Sequence, residues 1–418
     1  MARPNILWLV TTQWRAQACG YAGDANARTP HLDALAAESV NFAQAVTPHP
    51  FGPFARAALL TGVPSPANGV RDYFDPLPTG ARTIAHALGG RGYATAFFGK
   101  WHLAKRDPRA PLVGEAHAKL VVPSDARGGF GVWEGFEGGF LLNDPWLHGS
   151  RLERPRQFAG YQSDVVCEQA AGWLREQNPT AKNQTPKKLQ SWFAVVSLEA
   201  PHPPYDAPAA GVVSRDPREL ALPANVPRGG EVEAKARREL AGYYAHLEAT
   251  DRAIGRLLAG VRRADTMVVF TSVHGDMHGA HGLFRKGWPH EESVRVPLLV
   301  RAPDENPRRD DDAVSLLDLP ELTLAKVEVR NPERENRFDR ISMPSVVALP
   351  HQCDRAWRGV RTATRKLVLN ADPAGPGLAG SPWLLFDLKN DPLEMNNLAA
   401  DPARAGEIAE LRGMAGSG

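Results

Sequence analysis

Ala94-Thr95-Ala96-Phe97-Phe98 runs directly into Gly99-Lys100-Trp101-His102. A short apolar run that turns abruptly polar has the length of a buried strand and the chemistry of a strand end. The pattern recurs along the chain. Ile6–Val10 leads into Thr11, Thr12 and Gln13. Phe193–Ser197 leads into Glu199-Ala200-Pro201-His202-Pro203, and Met267–Thr271 into Ser272-Val273-His274-Gly275-Asp276. Pro297–Val300 is a fifth run of strand length. Helical patterns lie between these runs. Leu240, Tyr244, Leu247, Ile254, Leu258 and Val261 recur near a period of 3.6 and mark one face of a helix. Leu32, Leu35 and Ala36 suggest a second helix, and Ile84, Ala87 and Leu88 a third. Strands alternating with helices predict an α/β fold, a large mostly parallel sheet sandwiched by helices.

Three stretches are expected as loops: 176–190, 203–232 and the Pro- and acid-rich 303–312. Beyond about residue 330 the pattern changes to short strand-like pieces, Gly359–Thr362 and Leu367–Leu369, and a final helix near 402–412. The expected organisation is residues 1–330 as an α/β domain carrying the pocket. Residues 331–418 would form a smaller C-terminal α+β domain, a short antiparallel sheet plus a helix, with the boundary at 325–345.

The 418 residues carry 49 basic and 47 acidic side chains, a net charge of +2. That balance argues against a dedicated nucleic-acid binder and gives no support for a polybasic membrane anchor. No stretch approaches the roughly 20 apolar residues of a membrane span. Cys19, Cys167 and Cys353 are too few and too scattered for a disulfide framework or a paired zinc motif. Ile6–Val10 is shorter than the apolar core of a signal peptide. The expectation is a soluble, cytoplasmic protein, compatible with a homo-oligomer, with no nucleic-acid or membrane partner.

Ligand sites in open α/β sheets lie beyond the carboxyl ends of the strands. Parallel strands would therefore gather Lys100, His102, His202 and His274 into one pocket. A single histidine after a strand is usually structural. Three at equivalent strand ends, with a lysine, point to a functional site.

The chain resembles the sulfatase family of the alkaline-phosphatase superfamily. The similar segments include Pro4-Asn5-Ile6-Leu7, Thr29-Pro30-His31-Leu32-Asp33, Arg56-Ala57-Ala58-Leu59-Leu60-Thr61-Gly62 and Gly99-Lys100-Trp101-His102-Leu103. They continue through Pro201-His202-Pro203-Pro204-Tyr205, Tyr243-Tyr244, His274-Gly275-Asp276-Met277 and Gly282-Leu283-Phe284-Arg285-Lys286-Gly287. Arg361-Thr362 and Phe386-Asp387-Leu388-Lys389-Asn390-Asp391-Pro392 complete the set.

The resemblance implies a Cys or Ser, oxidised to formylglycine, four residues before Arg56. It also implies a divalent cation, usually calcium, held by carboxylates after the first and a later strand. This sequence departs from both. Position 52 is Gly, the residues where the motif Pro and its successor stand are Phe54 and Ala55, the first-strand positions are Thr12 and Gln13, and the later one is Val273. Neither metal nor formylglycine is therefore transferred, and no cofactor is expected. Arg56, Lys100, His102, His202, His274 and Lys286 stand where the family keeps anion-binding or proton-transfer groups.

The resulting expectation is a cationic pocket, formally +3 from Arg56, Lys100 and Lys286, taking a small anionic substrate. His102, His202, His274 and Lys100 are the catalytic candidates. Arg56, Lys286, Thr12, Gln13 and Trp101 are the substrate-binding ones. Trp14, Phe51, Phe54 and Trp288 could add apolar walls. His274, His278 and His281 have a spacing that resembles a zinc site, but Gly275 and Gly279 read as a loop. Three readings follow. The first is a metal-independent enzyme doing acid–base chemistry: elimination, isomerisation, cyclisation or an atypical hydrolysis. The second is an inactive pseudo-sulfatase that binds an anionic ligand or a partner. The third is a sulfuric ester hydrolase by resemblance.

Overall fold

The apolar runs do become neighbouring strands. A computed structural model describes residues 3–177, 190–330, 338–371 and 380–416. Its strands are β1 (Asn5–Thr11), β2 (Val40–Val46), β3 (Ala94–Lys100), β4 (Val132–Phe136), β5 (Trp146–Gly149), β6 (Arg156–Gln157), β7 (Trp192–Ser197), β8 (Thr266–Ser272), β9 (Leu298–Arg301) and β10 (Arg308–Ser315). These ten form one sheet in the order β10-β2-β9-β8-β1-β7-β3-β4-β5-β6. The consecutive strands β8, β1, β7, β3 and β4 are all parallel. β9 runs antiparallel to both of its neighbours.

Every residue of β7 and β8 is buried, as expected for strands covered on both faces. One core packs Trp8, Phe97, Phe193 and Val269 on one side of the sheet. The other packs Leu7, Leu9, Phe98 and Phe270 against the helices Gln162–Gln177 and Glu231–Ala259. Alternate residues of β1 thus go to opposite layers, as the period of two requires.

Four further strands, β11 (Phe338–Met343), β12 (Trp357–Thr362), β13 (Arg365–Asn370) and β14 (Pro382–Asp387), form a separate antiparallel sheet. The helix Ala405–Gly416 packs on β12 and β13, burying Leu411 with Val360, Leu367 and Leu369.

The structure corrects two local expectations. Residues 308–312, expected as a loop, belong to β10, which pairs parallel with β2 through a bulge between Asp310 and Ala313. Arg308, Arg309, Asp310, Asp311 and Asp312 give an edge strand the charge that discourages further pairing. The helix expected to reach Val261 ends at Ala259, with Gly260 following it. Of the expected loop 176–190, residues 178–189 lie outside the described residues, and Gln177 is still helical. Among the described residues no helix is long and apolar enough to cross a membrane.

Candidate active site

Register places the strand ends together. Val10 and Gly99 both pair with Ser197, Thr11 pairs with Ser272, and Lys100 pairs with Phe136. The segments after β1, β3, β7 and β8 therefore share one edge of the sheet. Gly99 makes the packing there possible: with φ +98°, any Cβ would fall 2.1 Å from the Ser197 carbonyl oxygen.

The site has two tiers. The lower tier is buried. Arg56, from the helix Gly52–Thr61, donates to Ser197 Oγ at 2.7 Å, to the Lys100 carbonyl at 3.1 Å and to Thr12 Oγ1 at 2.7 Å. Thr12 in turn donates to the Leu198 carbonyl at 3.0 Å. Lys100 Nζ lies 2.6 Å from Glu199 Oε1, and both side chains are almost wholly excluded from solvent. Burial lowers the Lys100 pKa and brings that of Arg56 down to about 10, with Glu199 opposing both shifts.

The expected charge of +3 needs correcting, because Glu199 neutralises Lys100. Arg106 and Glu137 add a second buried ion pair, at 3.4 Å.

The upper tier opens into a cleft of about 360 Å³. Of the residues singled out from sequence for catalysis or binding, His102, His202 and Lys286 line it. Its walls include Phe51, Tyr73, Leu112, Phe140 and Leu349. His202 stacks on Phe140, with ring centroids 4.5 Å apart and planes at 2°. His202 Nδ1 sits 2.8 Å from the Pro203 carbonyl, which can only accept, so that nitrogen carries the proton. The bare Nε2 then accepts from Lys286 Nζ at 3.1 Å. Lys286 also donates to Gln13 Oε1 at 2.5 Å.

Burial, reinforced by the charge of Lys100, lowers the Lys286 pKa to about 7. Burial and the nearby lysines push His202 well below the usual histidine value. Gln13, at φ +68°, is held by Asp276 and by Tyr205 at 3.2 Å. Burial works against ionised Asp276, but His278, Arg285 and the Tyr205 hydroxyl at 2.6 Å hold it below the usual carboxylate range.

His274 is fully buried beneath the cleft, its Nδ1 2.9 Å from the Gly275 carbonyl. Trp101 sits in the core against Phe97, Phe130 and Trp133 and does not line the cleft. The zinc-like spacing does not converge. His278 packs on Tyr205 and Tyr243, while His281 stacks on His290. Among the described residues, His281, Glu292 and Glu394 bring metal-competent atoms within reach of one another, yet Glu394 is already paired with Lys366 at 2.6 Å.

Sequence reasoning overlooked Glu199, Glu137, Arg106 and Phe140 as parts of this site. Glu199 directly follows β7, three residues before His202, and that position was the available signal.

The sulfatase family profile matches residues 4–325. The ulvan-active sulfatase of Formosa agariphila is 32% identical over 429 residues, covering 96% of this chain and 78% of that one. The chain belongs to the sulfatase family. The choline-sulfatase of Rhizobium meliloti is 25% identical over 96% of this chain and 83% of that one. The structure of BT4656 with its substrate D-glucosamine-2-N,6-O-disulfate has the same fold, with a TM-score of 0.78 and 20% identity over 99% of this chain and 97% of that one.

The sulfatase frame gives a test of whether a hard divalent cation suits the residues present. Such an ion wants six or more oxygen ligands, several of them carboxylates. Here the Thr12 hydroxyl is taken by Arg56, the Gln13 side-chain carbonyl by Lys286, and the Val273 side chain has no polar atom. Two cationic side chains occupy the available oxygens, so this donor set does not fit the ion.

Proposed function

We propose that the cleft takes a sulfate ester and that its chemistry runs on side chains, without a divalent cation and without a nucleophile at position 52. Membership of the sulfatase family, with relatives named for sulfated substrates, supports the ester class. It favours sulfuric ester hydrolysis over elimination, isomerisation or cyclisation.

The observation that carries the cation-free part is Lys286 Nζ, bonded to Gln13 Oε1 and to His202 Nε2. The Lys286–His202 pair holds a proton between two nitrogens whose pKa values are both depressed by burial. A group poised near neutrality is suited to general acid–base work. Water attacks sulfur, a new S–O bond forms and the ester S–O bond breaks. His202 Nε2, released as the Lys286 ammonium turns to the anion, takes the proton from water, and the resulting imidazolium returns one to the departing alcohol oxygen. The products are the alcohol and hydrogen sulfate. Lys286 and His102 hold the anion from the cleft floor, while Lys100 and Arg56 act through the field beneath it.

The experiment is a turnover screen over aryl, alkyl and carbohydrate sulfates with and without EDTA. Hydrolysis that persists in EDTA and is lost in His202→Ala is expected. Hydrolysis abolished by EDTA and restored by calcium would overturn the reading.

A second reading, non-catalytic binding of a sulfated ligand, draws on Gly52. That residue has no side chain to attack with, and His102 stands over it. Tight sulfate-ester binding with no turnover in the same screen would select it.

A further inference from the structure

We infer that Arg106 is a positioning residue that locks His102 as its Nδ1–H tautomer, making His102 an anion donor over Gly52 and not a base. The inference rests on the anion-binding reading of the cleft and assigns one of its histidines a separate role.

Arg106 Nη1 lies 2.9 Å from His102 Nε2. A guanidinium is always protonated and can only donate, so Nε2 must be the accepting, unprotonated nitrogen. The remaining proton of a neutral imidazole then sits on Nδ1. Arg106 is itself held firmly. Its guanidinium lies over the Tyr73 ring at 4.4 Å and the Phe74 ring at 5.2 Å. It also donates to the Tyr73 carbonyl and is paired with Glu137. Glu137 accepts from the backbone N–H groups of Leu103 and Ala104 at 3.2 and 3.1 Å, tying this shell to the residues just after His102.

His102 adopts φ +60°, a left-handed backbone uncommon for a side chain of this size. That turn leaves Nδ1 facing Gly52, buried and without a hydrogen-bond partner. A Cβ built on Gly52 would sit 2.9 Å from His102 Nδ1, and apart from the ring's Cε1 no other heavy atom outside the glycine's own chain segment lies within 4 Å of it. An unspent N–H therefore points at the bare face of Gly52, too close to it for a ligand atom to lie between them. His102 also lines the cleft, and a sulfate oxygen entering from there with a small shift of the ring would satisfy the N–H.

The other two site histidines have the opposite polarity. His202 and His274 spend Nδ1–H on the backbone carbonyls of Pro203 and Gly275 and present bare Nε2. The site thus contains one donor imidazole and two acceptor imidazoles. Burial, reinforced by the charge of Arg106, lowers the His102 pKa well below the usual histidine value, which disfavours its taking a second proton.

The test reads the tautomer directly. Long-range ¹⁵N–¹H correlation on the intact protein should show His102 with Nδ1 protonated and Nε2 bare; the reverse pattern would overturn the inference. In Arg106→Met, with folding checked by circular dichroism, the His102 pattern should shift towards a tautomer mixture. An unchanged pattern would remove Arg106 from the role.

Inorganic sulfate titrated by calorimetry supplies the second arm. His102→Asn carries an amide N–H near the place of Nδ1 and should keep affinity within ~3-fold, whereas His102→Gln should lose about 10-fold. Equal affinities in the two variants would overturn the donor role. Failure of wild-type protein to bind sulfate would instead overturn the proposed function, while the tautomer readout would still decide the place of Arg106.

Discussion

Lys286 Nζ lies 2.5 Å from Gln13 Oε1. An ammonium group thus engages a strand-end side chain at a position where the family resemblance implies a carboxylate on a cation. Elemental analysis of purified protein should find no stoichiometric calcium, magnesium or zinc. Dialysis against EDTA should leave the thermal midpoint unchanged. One tightly bound ion per chain would contradict the arrangement.

Sulfate affinity should depend on the charge of Lys286. Burial brings its pKa down to about 7. The cationic form binds an anion, so affinity should fall as pH rises through 7. Calorimetry at about pH 6 and about pH 8.5 checks this, with the larger association constant expected at the lower pH. The stability effect has the opposite sign. The folded pKa lies below the unfolded value of 10.5, so this group makes the fold more stable as pH rises from about 7 towards 10.5.

Glu199→Ala should be strongly destabilising. It would leave Lys100 buried without its counter-charge, a loss on the order of 3–5 kcal/mol. The double variant Lys100→Met, Glu199→Leu removes both charges and should recover much of that loss. Denaturant midpoints for the wild type and both variants would measure it. A single variant as stable as wild type would show that the buried pair contributes little.

Gly52→Ser would not convert the site into a hydrolase with a covalent intermediate. Its Cβ would press on the His102 ring from 2.9 Å, and Arg106 fixes the ring's far side. Overpacking of this kind costs about 1–3 kcal/mol. A lower melting temperature and weaker sulfate binding are expected. Improved turnover in this variant would count against the crowding argument.

The sheet was legible because its strands are buried on both faces. Such strands are written as apolar runs with polar ends, and β1, β3, β7 and β8 all carry that signature. β10 lacks it, since a charged edge strand looks like a loop. The gathering of Lys100, His102, His202 and His274 was also legible, because parallel strands bring their ends to one edge, and of these His102 and His202 line the cleft. Lys286 was marked only by the family resemblance. The pairing of charges was not legible. Lys100 and Glu199 are 99 positions apart, and only the neighbouring of β3 and β7 joins them. Trp101 was open to a better reading. It stands between Lys100 and His102, and near a strand end adjacent residues face opposite ways. With its two neighbours in the site, Trp101 belonged in the core.

The cleft draws its floor and its walls from distant parts of the chain. His102, His202 and Lys286 come from segments that follow the large sheet's strands, whereas Leu349, Pro350, His351 and Gln352 come from the connection between β11 and β12. Recognition of what the anion is attached to can therefore vary by exchange of a short surface loop, while the proton-handling groups beneath stay as they are. On the proposed function, exchange of residues 349–352 in this chain should retune the choice of substrate and leave EDTA-insensitive turnover intact.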